Sequence, residues 1–433
     1  SLQLSSDSFS SCVQMASSPS SSDNLTFTVT SSPKMFYSTT YKIRVTTAAK
    51  DSAGNNIAQS TQTYGFKTSV TFPMTAGSAH SCFMLDNGSV KCWGKNNLGQ
   101  LGLGNTSNRG DNSSEMGDNL PVVDLGTGST AKAISAGSDH TCAILDNASI
   151  KCWGKNDQGQ LGLGDTNNRG DGLGEMGDSL PAVDLGSSRA AKAIAAGGSH
   201  TCAILDNSAI KCWGGNVSGQ LGLGDTNNRG DAGSEMGDDL DTVDLGSGRT
   251  AVSITAGYGH TCALLDDNSV KCWGRQDEGQ LGSKKTFNSG ATSGKMGDVL
   301  LAVDLGSGRT STAIAAGGYH SCAMLDNSSI KCWGKNSSGQ LGLGHIEDRG
   351  RDQTGDSPCL ENLMGDCLQS IEVGTGRTTR GIIAGDNQTC AILDNASIKC
   401  WGSNNAGQLG LGNTNNLGDN SSEMGDNLPV ISL

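Results

Sequence analysis

Six stretches of this chain gather two cysteines, a lysine and a tryptophan within nineteen residues, and five of the six add a histidine. Such side chains can ligate a metal, act as a thiolate nucleophile or form a polar binding site. The second stretch reads Ala136-Gly-Ser-Asp-His-Thr-Cys-Ala-Ile-Leu-Asp-Asn-Ala-Ser-Ile-Lys-Cys-Trp-Gly154, and Gly159-Gln-Leu-Gly-Leu-Gly164 follows it. Repetition argues against chemistry. His80, His140, His200, His260 and His320 each stand two residues before a cysteine, with Gln388 at the sixth position. Copies one repeat apart cannot share a metal at bond lengths of roughly 2 Å. No Ser-His-Asp set, phosphate loop, Cys-x-x-Cys pair or zinc signature stands outside the repeat. A non-catalytic protein without a cofactor is expected, and Trp93 and its equivalents read as packing between repeats.

The elements that carry these residues follow from the period. The leading cysteines are Cys82, Cys142, Cys202, Cys262, Cys322 and Cys390, spaced 60 residues apart four times and 68 once. A period of this length marks a propeller or solenoid. Each unit offers a short apolar stretch such as Ala131–Ala136, two strands flanking a tight turn, and a fourth strand such as Pro181–Leu185. The expectation is an all-β propeller of six visible four-stranded repeats, with a seven-bladed ring left open. Only 35% of the residues are hydrophobic and 4% aromatic, so the core is thin and needs reinforcement.

The cysteines supply it. Asp86-Asn87-Gly88 suits a three-residue hairpin loop with glycine in the left-handed third position. Counting outward from Leu85 and Ser89 sets Cys82 opposite Cys92, at a β-carbon separation of about 4.5–5.5 Å. The same reading pairs Cys142 with Cys152, Cys202 with Cys212, Cys262 with Cys272, Cys322 with Cys332 and Cys390 with Cys400. Cys359 and Cys367 make a seventh candidate pair, and Cys12 is left over as a free thiol or a thiol without its partner. Regular pairing points to an oxidising compartment: the cell surface, the periplasm or the medium.

The pattern Ala-Gly-x-x-His-Thr-Cys-Ala-x-Leu-Asp-Asn, Lys-Cys-Trp-Gly and Gly-Gln-Leu-Gly-Leu-Gly, over residues 71–433, resembles the regulator-of-chromosome-condensation repeat. The resemblance is to the bacterial secreted version, which includes the β-lactamase inhibitor protein II. The resemblance implies a β-propeller, commonly seven-bladed. Residues 1–70 share nothing with the repeat. Thr26–Val29 and Tyr41–Thr46 alternate as strands do, and Asp51-Ser-Ala-Gly-Asn55 with Phe66-Lys-Thr68 resembles the closing part of a bacterial Ig-like domain. Two domains are expected, an Ig-like β-sandwich fragment over 1–70 and the propeller over 71–433.

Between the third and fourth strands lies a long charged loop. Met-Gly-Asp recurs in all six copies, ending at Asp118, Asp178, Asp238, Asp298, Asp366 and Asp426, as a turn whose carboxylate bonds backbone amides. The other charges change as a group: Asp225, Arg229, Asp231 and Glu235 of the third copy become Lys285, Ser289, Ala291 and Lys295 in the fourth. Two purposes fit. One is an Arg–carboxylate network that orders the loop. The other is a calcium site built from Asp165, Asn167, Asp171 and Glu175. Arg169 interrupts the calcium pattern, and Leu417 in the sixth copy interrupts the network. The Arg-Gly-Asp tripeptides at 109, 169 and 229 belong to this cohort, which makes their repetition a consequence of the period.

A repeat scaffold binds through positions that differ among its copies. The propeller's two tyrosines, Tyr258 and Tyr319, fall in one turn of the fourth and fifth units, where the loops add Lys284, Lys285, Phe287, Lys295, His345, Ile346 and Arg351. Aromatic and basic residues on an acidic protein suit the anchors of an interface with a protein or glycan. The net charge of −13 argues against nucleic acid. No run of about 18 apolar residues exists, so no membrane insertion is expected. The sequence thus points to an extracellular or cell-surface binding or adhesion protein. An inhibitor of a secreted enzyme is the alternative; guanine-nucleotide exchange, implied by nuclear relatives of the repeat, fits the charge and the cysteines poorly.

Overall fold

A computed structural model describes residues 2–5, 40–45, 60–61, 66–67, 74–283, 288–351 and 364–431. The chain divides into two compact units, Ser1–Phe72 and Pro73–Leu433. In the first, Thr40–Val45 pairs antiparallel with Leu2–Ser5, Ser60–Thr61 and Phe66–Lys67. Thr26–Val29, Cys12, Lys284, Lys285, Phe287 and Cys359 lie outside the described residues.

The second unit is a propeller of six blades, and its described residues contain no α-helix. Blade two is built from Ala131–Ala136, His140–Leu145 and Ile150–Gly154, paired antiparallel in that order. The equivalent strands start at Met74, His80 and Val90 in blade one; Ala191, His200 and Ile210 in blade three; Ala251, His260 and Val270 in blade four; Ser311, His320 and Ile330 in blade five; and Thr379, Gln388 and Ile398 in blade six. The first strands of neighbouring blades touch, so they are innermost.

Each sheet has three strands, against the four expected from the sequence. The segment Pro181–Leu185 runs along the third strand but makes a single ladder bond, from the Val183 amide to the Ile150 carbonyl at 2.8 Å. Pro181 has no amide to donate, and at the far end the Asp184 carboxylate accepts the Gly186 amide at 2.9 Å and turns the chain away. Alternation survives without the ladder. Leu180, Val183 and Leu185 stay buried.

The hairpin turn holds the cysteines as its geometry requires. The Leu85 amide donates to the Ser89 carbonyl, and the Gly88 amide to Leu85, closing a three-residue loop with Gly88 at φ 78°. Cys82 faces Cys92 in register, and all six Cys-x9-Cys pairs are bonded. Cys367 is likewise disulfide-bonded. In the other blades the left-handed position holds Ala148, Ser208, Asn268, Ser328 or Ala396, at φ between 63° and 65°. A β-carbon is unfavourable there by about 1–2 kcal/mol. Ala148→Gly is therefore expected to raise stability by about 1 kcal/mol, read from a urea titration.

The cores lie between blades. Between blades two and three, Cys142, Ile144, Cys152, Leu161, Val183 and Leu185 pack against Ala203, Leu205 and Trp213. Five such clusters serve five seams. Among the described residues blades one and six do not make a sixth. A β-carbon at Gly162 would lie 2.7 Å from Trp213 of the next blade, and one at Gly159 would lie 2.4 Å from the Asp231 amide. At the matching Gly410 and Gly407 of blade six, the nearest atoms are Ile431 and Asn413 of the same blade, at 3.5 and 4.0 Å. Trp93 of blade one is half-buried, whereas its five equivalents are fully buried.

Candidate functional site

The repeated His, Thr and Trp form a seam circuit. His140 Nε2 lies 2.9 Å from Thr201 Oγ1 of the next blade, and Thr201 Oγ1 donates to the Gln160 carbonyl oxygen at 2.9 Å. Trp213 Nε1 donates to that same oxygen at 3.1 Å. Because the hydroxyl proton points at a carbonyl, the threonine must accept from the imidazole. This places the ring proton on Nε2 and leaves Nδ1 bare. Among the described residues Nδ1 has no partner in any of the five histidines. Burial pushes His140 and His260 down to about 3, and His80, His200 and His320 to about 4, so all five are neutral. Each histidine reaches the following blade. Blade six, which has no described neighbour on that side, carries Gln388 at this position.

The charged loops are tied to themselves. Asp165 Oδ2 pairs with Arg169 Nη2 at 2.6 Å, and the Arg169 guanidinium also donates to the Asn167 and Asn168 carbonyls. Glu175 Oε2 accepts the Gly170 and Gly172 amides at 3.0 and 2.8 Å, while Asp171 takes the Asn168 amide group. Blade three repeats the pattern with Asp225, Arg229 and Glu235. Among the described residues no three His, Cys, Asp or Glu side chains form a group able to hold a metal. The thermal midpoint is expected to be the same in EDTA and in excess calcium; a fall on chelation would favour the calcium reading over the network.

Met-Gly-Asp joins neighbouring blades. Asp178 accepts from the Thr127 amide at 2.9 Å and the Thr127 hydroxyl at 2.6 Å, bonds that hold its carboxyl below the usual range. Lys151 Nζ donates to the Gly177 carbonyl at 2.7 Å from the same side. The arginines of the Arg-Gly-Asp tripeptides in blades two and three are engaged with Asp165 and Asp225.

What remains variable is a belt of turns at the start of the middle strands. Backbone bonds run from turn to turn: Ser78 to Ser138, Ser138 to Gly197, Gly198 to Gly257, Tyr258 to Gly318 and Gly318 to Asp386. Tyr258 and Tyr319 occupy successive positions in adjacent turns, so their rings meet across a seam, 5.5 Å apart and stacked. Arg275 lies 5.0 Å and Lys335 5.3 Å from the Tyr319 centroid. The Arg275 Nε approaches both Asp277 oxygens, at 2.7 and 2.8 Å, and this carboxylate raises the guanidinium above its ordinary value. Tyr258 is 47% exposed.

The other variable residues divide. Arg351 donates to the Asp277 carbonyl oxygen and so reaches the tyrosine group from the fifth long loop. His345 takes the place of Asp165 as partner of its loop arginine, with Nε2 2.7 Å from Arg349 Nη2. Ile346 and Lys295 are exposed. Sequence reasoning missed Arg275, Asp277 and Lys335. A signal was present: the position after Trp-Gly is Lys, Lys, Gly, Arg, Lys and Ser in the six copies.

Comparison with known proteins agrees with this architecture. A family model described as an RCC1-like domain matches residues 44–379, and a regulator of chromosome condensation (RCC1) repeat matches residues 382–408. The ultraviolet-B receptor UVR8 of Arabidopsis thaliana is 27% identical over 78% of this chain and 66% of its own length. The human probable E3 ubiquitin-protein ligase HERC4 is 30% identical over 50% of this chain and 18% of its own length. The chain therefore spans less than two thirds of these relatives. Human WBSCR16 superposes with a TM-score of 0.59 at 16% identity, covering 88% of each chain. Prp20p of Saccharomyces cerevisiae also gives 0.59, at 18% identity, over 83% of this chain and 76% of that one. With well over half of its length matched, the chain belongs to the RCC1-like domain family.

Proposed function

We propose that this protein is a non-catalytic, secreted or surface-displayed bacterial binding protein, and that its propeller engages a protein ligand through the belt of turns at blades four and five. The observation that carries this reading is the Tyr258–Tyr319 stack with Arg275 and Lys335 against it. In the other blades these turn positions hold Ser, Ala, Gly, Asp or Asn. Exposed aromatic rings with cations beside them are the residue types enriched at interface centres. Relatives named as a receptor and as ligases, and a structural neighbour whose title records binding to Gsp1p and histones, support a scaffold for protein partners. The extracellular placement rests on the six bonded cysteine pairs, which persist in oxidising compartments. The Ig-like resemblance of residues 1–70 and the likeness of the repeat to secreted bacterial propellers support the same placement.

The test is capture of partners from the surface of host or target cells by the immobilised chain. Tyr258→Ala with Tyr319→Ala is expected to abolish capture, and Asn147→Ala, at a hairpin tip, to leave it intact. Capture unaffected by the double change would refute the assignment of the face.

A further inference from the structure

The belt of turns carries a ring of cations, and one of them differs from its equivalents. The residue after Trp-Gly is held on the belt by its amide, which donates to a turn carbonyl: Lys95 to Ala79, Lys155 to Asp139, Arg275 to Gly259 and Lys335 to Tyr319. Lys95 Nζ lies 3.3 Å from Asp139, Lys155 Nζ lies 3.1 Å from Asp157, and Arg275 is forked onto Asp277. Those three charges are neutralised within the belt. Lys335 has no carboxylate partner among the described residues, and its ammonium lies over Tyr319 instead. Arg351 enters the same patch through the Asp277 carbonyl, and it too makes no ion pair among the described residues. Two cations without an ion pair among the described residues therefore stand beside a tyrosine pair on a chain whose net charge is −13.

We infer that this patch docks an acidic protein segment, with carboxylates meeting Lys335 and Arg351 while a planar side chain lies on the open face of Tyr258. The inference rests on the binding face proposed above and names its partner's chemistry. A carboxylate partner suits the charge pattern because it needs few cations. A polyphosphate would need many more cations than this patch holds. The aromatic pair supplies contact area, and the cations orient the segment and speed its encounter.

Fluorescence anisotropy with a labelled random copolymer of glutamate and tyrosine tests this. The whole chain is expected to bind the copolymer at about 20 mM salt and to lose about tenfold in affinity at about 500 mM, where the Debye length is only a few ångströms. Lys335→Glu with Arg351→Glu is expected to weaken binding by about tenfold or more while the thermal midpoint stays unchanged. A copolymer of lysine and tyrosine serves as the reversed-charge probe, and oligothymidylate as the polyphosphate. No binding of the acidic copolymer, binding indifferent to the double reversal, or tighter binding of either control overturns the acidic partner. If the copolymer fails while Tyr258→Ala with Tyr319→Ala still abolishes capture, the face stands and its partner is not acidic; if both fail, both readings fall.

Discussion

Acidification from about pH 8 to about pH 5 is expected to remove most of the propeller's stability, well before its carboxylates protonate. The cause is the row of five seam histidines. Their folded values, about 3 to about 4, lie far below the value of about 6.5 for an unfolded chain. Between those limits the unfolded chain binds more protons than the folded one. Stability is therefore complete above about pH 6.5 and lost as pH falls toward the folded values. At pH 5 each histidine favours unfolding by about 2 kcal/mol, and five together by about 10 kcal/mol, comparable to the whole stability of an ordinary domain. Urea midpoints across pH 4.5–8 measure the effect. His140→Gln, which copies the residue at position 388, is expected to reduce the pH slope by about one proton. A flat profile over this range would mean that the imidazoles are not buried and neutral.

Replacing one seam tryptophan should cost much more than replacing another. Trp213→Ala removes a fully buried indole and its bond to the Gln160 carbonyl, for a loss of about 3–5 kcal/mol. Trp93→Ala removes a half-buried indole for which no acceptor exists among the described residues. Its loss is expected to be less than about 2 kcal/mol. Unfolding free energies of the two variants, measured under identical conditions, give the comparison. Equal losses would show that Trp93 is also sealed in a seam, which the open surroundings of Gly407 and Gly410 argue against.

The repeat period, the all-β class, the hairpin and the cysteine pairing were legible in the sequence because they are local. A three-residue turn determines which residues face each other a few positions away, and the 60-residue spacing copies that answer six times. The seam tryptophans were legible for a related reason, since a residue present in every copy belongs to what copies share. The loop network was half legible: Asp165 and Arg169 lie close in sequence, but the tie from Asp178 to Thr127 spans 51 positions. The fourth strand failed as a sequence expectation because alternation records burial alone: the segment buries Val183 and Leu185 but makes one ladder bond before the Asp184 carboxylate turns the chain away.

Tertiary structure decided the rest. Nothing in the stretch around His140 says that its ring reaches Thr201, 61 residues on, or that the hydroxyl there points at Gln160 and fixes the imidazole tautomer. Tyr258 and Tyr319 were visible as departures from the pattern, yet only the stacking of one blade on the next brings their rings within 5.5 Å and sets Lys335 against them. The physical reason is one of range. Backbone geometry and side-chain alternation act over a few residues and are written into each repeat, whereas a seam is a contact between repeats, whose partners are chosen by the curvature of the propeller.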